Sequence, residues 1–80
     1  MARLERIVAQ NLRIVRAQRK LSQEAVARKA RVSVSYISML ERGQRTPPLE
    51  TLEALAKALG VSPMYLLQTL TTERPRARRR

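Results

Sequence analysis

Eighty residues carry seventeen Lys/Arg against six acidic side chains, a formal net charge of +11, with no histidine and no cysteine. That length limits the chain to one domain with a modest core, and the missing side chains exclude disulfides and tight zinc or iron binding, so neither a metal nor a cofactor is expected. With no nucleophile–base pair, no Gly-rich phosphate loop and no apolar run near the roughly 20 residues of a bilayer span, enzyme, small-molecule and membrane roles fall behind a polyanion as the partner.

The first helix is expected from about Leu4 to Lys20. Leu4, Ile7, Val8, Leu12 and Val15 form its apolar stripe, and Arg6, Arg13, Arg16 and Arg19 lie mostly off it. Ser22 is an N-cap and Glu24 suits the dipole of a second helix that reaches about Ala30. Ser33 caps a third helix running to Glu41 or Arg42, which Gly43 ends in the left-handed conformation. Apolar residues at Val26, Ala30, Val32, Ile37 and Leu40, with small Ala27 at a close crossing and a break at Arg31-Val32-Ser33, are the pattern of a helix-turn-helix. The second helix of such a unit can enter a DNA major groove.

Gln44-Arg45-Thr46-Pro47-Pro48 reads as a loop, because proline cannot continue a helix. Leu49 to Leu59 forms the fourth helix, with Gly60 as its stop. Ser62-Pro63 is a cap followed by proline at the first helical position, and the fifth helix runs from Pro63 to about Leu70. The fold class is therefore all-α, with five helices in a helix-turn-helix domain over 1–70 and an Arg-rich tail over 71–80 expected to be disordered alone. Charge is uneven: residues 1–45 hold eleven Lys/Arg against three Glu, whereas 49–70 hold one Lys against two Glu.

If the third helix lies in a major groove, Val34, Ser35, Ser38 and Met39 face base edges. The serines can donate or accept hydrogen bonds, and Val34 and Met39 suit thymine methyls. No Arg or Asn occupies these slots, so direct readout is expected to be modest and supplemented by phosphate contacts and DNA shape. Gln23, at the start of the second helix, suits a phosphate oxygen, as do Arg42, Gln44 and Arg45 just past the third helix. Ser33 and Tyr36 complete the expected DNA-binding set, and Arg13, Arg19 and Arg28 are further phosphate candidates. The alternative for all of these is an ordinary solvated surface, and for Tyr36 a cover over the helix interface.

The chain resembles the lambda-repressor/Cro-like, xenobiotic-response-element type of helix-turn-helix regulators. The resemblance rests on Leu21-Ser22-Gln23-Glu24, Val32-Ser33, Tyr36-Ile37-Ser38, Leu40-Glu41-Arg42-Gly43, Pro47, Leu49-Glu50-Thr51-Leu52, Ala56 through Ser62 and Leu66-Leu67, within residues 5–70. It implies a five-helix DNA-binding domain working as a homodimer on a palindromic double-stranded operator, in a bacterial or phage cytoplasm and nucleoid-associated. It also implies an ion pair between Glu41 and Arg16, and a dimer contact through Val61, Met64, Leu67 and Leu70, the alternative being that these residues complete the monomer core. Two residues depart from the pattern. Arg31 stands where relatives place glycine, at a cost of about 1 kcal/mol if φ is positive there, and Pro48 stands where relatives often place a serine cap. A transcriptional repressor or controller is the expected function, governed by concentration and dimerisation, since the chain leaves no room for a sensing domain. The alternatives are an antitoxin-type protein-interaction module that also binds DNA and, against the capped multi-helix pattern, a membrane-active cationic peptide.

Overall fold

The computed structural model describes residues 4–69, which form five helices: α1 (Leu4–Gln18), α2 (Gln23–Ala30), α3 (Val34–Glu41), α4 (Leu49–Leu59) and α5 (Pro63–Leu67). There is no strand among the described residues.

One device starts three of the helices. Ser22, Ser33 and Ser62 sit in extended backbone, and their hydroxyls accept from the N–H groups of Ala25, Tyr36 and Tyr65 at 3.0, 3.0 and 3.3 Å. Each satisfies a backbone donor that the helix leaves open, worth ~1 kcal/mol. Pro48 precedes α4 and makes no side-chain cap bond.

Left-handed residues follow the first four helices. Gly43 (φ +74) lets its own N–H reach Leu40 O while the Gln44 N–H reaches Met39 O. Gly60 (φ +76) does the same after α4. Arg31 takes φ 64 and ψ 44 without being glycine, so the α2–α3 turn keeps the geometry that favours glycine and Arg31 bears the strain.

Two helices end short of the expected positions. α1 stops at Gln18 because Lys20 also turns left-handed (φ 57), which allows the Leu21 N–H to bond Arg16 O and Leu21 to fold against the core. α5 stops at Leu67, where Gln68 is extended. The amide of Asn11 donates to the carbonyls of Leu66 and Gln68 at 2.7 and 2.6 Å and so satisfies the end of α5 from the side. Leu70, assigned above to the fifth helix, and the tail over 71–80 lie outside the described residues.

The core draws on every helix: Val8, Leu12 and Val15 of α1, Val26, Ala27 and Ala30 of α2, Ile37 and Leu40 of α3, Leu52, Leu55, Ala56 and Leu59 of α4, and Leu66 of α5. α1 packs on α3 and α5, α2 packs on α3 and α4, and α4 packs on α5. Buried Ala27 and Ala30 allow the close approach of α2 to its neighbours. Leu4, placed on the apolar stripe, is half exposed. It begins the helix and stands at the rim of an apolar hollow of about 250 Å³ shared with Leu49 and Leu67.

Candidate nucleic-acid interface

An eight-residue helix is too short to be stable alone, so α3 depends on what holds it. Ile37 and Leu40 anchor its inner side in the core. Glu41, at its last turn, is buried and turned inward. Arg16 of α1 donates to the carboxylate twice, Nε to Oε2 at 2.6 Å and Nη2 to Oε1 at 3.0 Å. Gln23 Nε2 of α2 donates to the same Oε1 at 3.0 Å. The main-chain carbonyl of Glu41 accepts from Arg13 Nη1. One side chain thus joins α1, α2 and α3. The bond with Glu41 raises the pKa of Arg16 above the ordinary guanidinium value, burial lowers it, and the charge of Glu41 adds to the rise.

The outer side of α3 presents the residues proposed for base edges. Val34 and Ser35 are exposed, and Ser38 and Met39 are half-buried. Ser33 Oγ is taken by its cap bond, leaving its proton free to donate. Ser38 Oγ accepts from Arg42 Nη1 at 2.5 Å, which likewise leaves its proton free to donate. Arg42 also donates to Gln44 Oε1, from Nη2 at 3.2 Å and Nε at 3.4 Å. Arg42, Gln44 and Arg45 are all exposed beyond the C-terminal end of α3. Tyr36 is half-buried against the core. The structure therefore brings Ser33, Val34, Ser35, Ser38, Met39, Arg42 and Gln44 onto or beside one helix, while the Gln23 amide is committed to Glu41.

Met64 on α5 is 67% exposed, whereas Val61, ahead of that helix, and Leu67, at its end, are half-buried and pack against the core. Tyr65 is also exposed at the surface.

Sequence reasoning passed over Asn11, which is 1% exposed. The signal was available: an amide stands at position 11 between apolar residues 8 and 15, at helical spacing on the buried stripe. It also missed the bonds of Gln23 to Glu41 and of Arg42 to Ser38, which depend on distances between elements.

Comparison with known proteins places this arrangement among others. The HTH_3 helix-turn-helix family matches residues 12–66. An uncharacterised HTH-type transcriptional regulator, y4dJ of Sinorhizobium fredii, is 42% identical over 72 residues, covering 90% of this chain and 92% of its own. The immunity repressor of Bacillus phage phi105 is 46% identical over 54 residues, 68% of this chain but only 38% of the repressor. Among solved structures, the restriction-modification controller protein C.AhdI from Aeromonas hydrophila superposes with a TM-score of 0.75 at 37% identity, covering 78% of this chain and 94% of that one.

Proposed function

The chain belongs to the HTH_3 helix-turn-helix family and is a DNA-binding transcriptional regulator rather than an enzyme; from that premise we propose that it acts as a homodimer on a palindromic operator, as a repressor or controller. The observation that carries this reading is α3 itself: capped at Ser33, fixed at Glu41, and exposing Val34 and Ser35 with arginines at its far end.

In this reading α3 lies in the major groove. Val34, Ser35, Ser38 and Met39 meet base edges; Ser35 can donate or accept there, and Ser38, whose oxygen already accepts from Arg42, keeps its proton to donate. Arg42, Gln44 and Arg45 meet phosphates, which fix register without reading sequence. Tyr36 and Ser33 support the helix at its entry. The Gln23 amide donates to Glu41, so its first role is to orient that carboxylate. Exposed Met64, with Val61, Leu67 and Leu70, supplies the contact with a second protomer, and two-fold symmetry sets the two α3 helices about 34 Å apart, one turn of duplex. The similarity to C.AhdI along most of both chains supports a controller's role.

Selection of bound sequences from a random duplex library, at about physiological salt, tests this. An inverted repeat with half-sites one helical turn apart is expected. Binding without enrichment that vanishes as salt rises would leave only a general polyanion grip and direct the search to a protein partner. Within the selected operator, Arg45→Ala weakens binding to all sequences and lowers the salt slope by about 0.9 for each phosphate it no longer neutralises. Ser38→Ala and Met39→Ala change the preferred sequence.

A further inference from the structure

A cleft between the first half of α1 and the end of α3 carries three guanidinium groups. Arg6, Gln10 and Arg13 line it from α1, and Arg42 and Gly43 line it from beyond α3, with Ala9 between them. Among the described residues no carboxylate lines it. Glu41, the acidic residue nearest in sequence to Arg42, turns its carboxylate the other way, to Arg16 and Gln23. The cleft holds about 410 Å³, room for a phosphate group and several waters at roughly 30 Å³ each.

Two of the three arginines are already positioned. Arg13 donates to the Glu41 carbonyl, and Arg42 is held by Ser38 and Gln44. Both keep N–H donors beyond those bonds, since a guanidinium has five. The backbone amides of Gly43 and Gln44 are spent on Leu40 O and Met39 O, so the guanidinium groups and the Gln10 amide are the donors the cleft offers. Planar forks of this kind match the oxygens of a phosphate, and a site of like charges with no acid favours a ligand of two or more anionic oxygens.

We infer that this cleft is a phosphate site, and that its occupant is a backbone phosphate of the bound duplex, gripped by Arg6, Gln10 and Arg13 of α1 together with Arg42. The assignment of the duplex as source rests on the docking of α3 in the groove. Arg42 follows α3 directly, so a strand bordering that groove passes the cleft mouth. The site adds α1 to the DNA-contacting surface and extends the footprint beyond the helix-turn-helix.

The test uses the full chain and Arg6→Gln, with Gln10→Glu as a second variant that places a carboxylate on the same wall. Thermal unfolding checks that each folds. Arg6→Gln is expected to weaken binding to operator and unrelated duplex by the same factor and to lower the slope of log K against log salt by about 0.9 per bound protomer. Between 50 and 200 mM salt the ratio of wild-type to variant affinity then shrinks about 3.5-fold per protomer. Gln10→Glu weakens binding in the same uniform way. In parallel, the free protein is titrated with inorganic phosphate while the amide resonances of Ala9, Gln10 and Gly43 are followed. Saturable shifts that Arg6→Gln abolishes, with an unchanged salt slope, keep the phosphate site but assign it to a free phosphorylated molecule. An unchanged slope with no saturable shift in the wild type overturns the inference. Failure of wild-type protein to select an operator would sink the dimeric-operator reading instead, and the phosphate titration is independent of it.

Discussion

Arg31 offers a test in which glycine should stabilise a helical protein. The residue adopts φ 64 and ψ 44, and its surroundings forbid relaxation: the Val32 N–H bonds Ala27 O at 3.0 Å, and Ser33 immediately caps α3. A side chain with Cβ costs about 1–2 kcal/mol in this conformation. Glycine removes that cost but adds freedom to the unfolded chain, worth about 0.4–1 kcal/mol. Taking midpoints, Arg31→Gly gains about 0.8 kcal/mol. For a domain of this size that raises the melting temperature by roughly 3–6 °C. Arg31 is exposed and neighbours Arg28 and Lys29, so removal of its charge could itself stabilise. Arg31→Ala is the control, because it removes the same charge and keeps Cβ. Melting followed by circular dichroism should rank Arg31→Gly above both Arg31→Ala and wild type. If Arg31→Gly melts no higher than Arg31→Ala, the turn carries no strain from Cβ, and the argument from φ fails.

Asn11→Leu should cost about 2–4 kcal/mol in urea unfolding, because it strips the donor from two carbonyls at the end of α5, one of them buried; a loss below about 1 kcal/mol would mean water replaces the amide. Glu41→Ala leaves Arg16 and Gln23 without their shared acceptor. Arg16 keeps partial access to water (24% exposed), so the expected loss is about 2–3 kcal/mol, below the 3–5 of a fully buried broken pair. The Arg16 pKa is raised in the folded state, so its contribution is complete below the unfolded value and is lost only as pH climbs through the folded one. Both lie far into alkali, and the difference in unfolding free energy between wild type and Arg16→Met should be the same at about pH 6 and about pH 9. Gln23→Ala should lower stability by about 1.5 kcal/mol, the low end for a hydrogen bond to a charged group, because Gln23 is itself only half-buried, and a loss in DNA affinity with unchanged stability would return Gln23 to a purely phosphate-binding role.

The helices were legible because their punctuation is local. Ser22, Ser33 and Ser62 each act on a backbone N–H three residues away, and Gly43 and Gly60 each fix one φ, so a reading along the chain sees cause and effect together. The ends of α1 and α5 were not legible for the opposite reason. Lys20 carries no mark of a left-handed residue, and its turn is stabilised by Leu21 meeting a core that the rest of the chain supplies. α5 is cut short by Asn11, more than fifty residues earlier in the chain. Val34 and Ser35 could be placed on the outer face of α3 from periodicity alone. That Ser38 Oγ is already an acceptor for Arg42, and therefore offers a donor to its surroundings, follows only from the distance between them.

The division of labour in this small domain follows from where its polar bonds lie. α3 has no arginine or asparagine among Val34, Ser35, Ser38 and Met39, so on the proposed reading base contacts alone would give it little discrimination. Short contacts of that kind discriminate only if the helix is held at one angle, because a serine or valine side chain has little reach to absorb a tilt. The angle is set from α1: Arg16 fixes the Glu41 carboxylate and Arg13 its carbonyl, both at the last turn of α3. α2 adds Gln23 to the same carboxylate, so the two helices of the motif and the helix before them meet at one buried acid. Arg13 also lines the basic cleft. A phosphate held there would bear on the residue that fixes the C-terminal end of α3, so the backbone grip and the placement of the recognition helix share a side chain. On the proposed docking, specificity would reside in the relation between α1 and α3 as much as in the letters of α3.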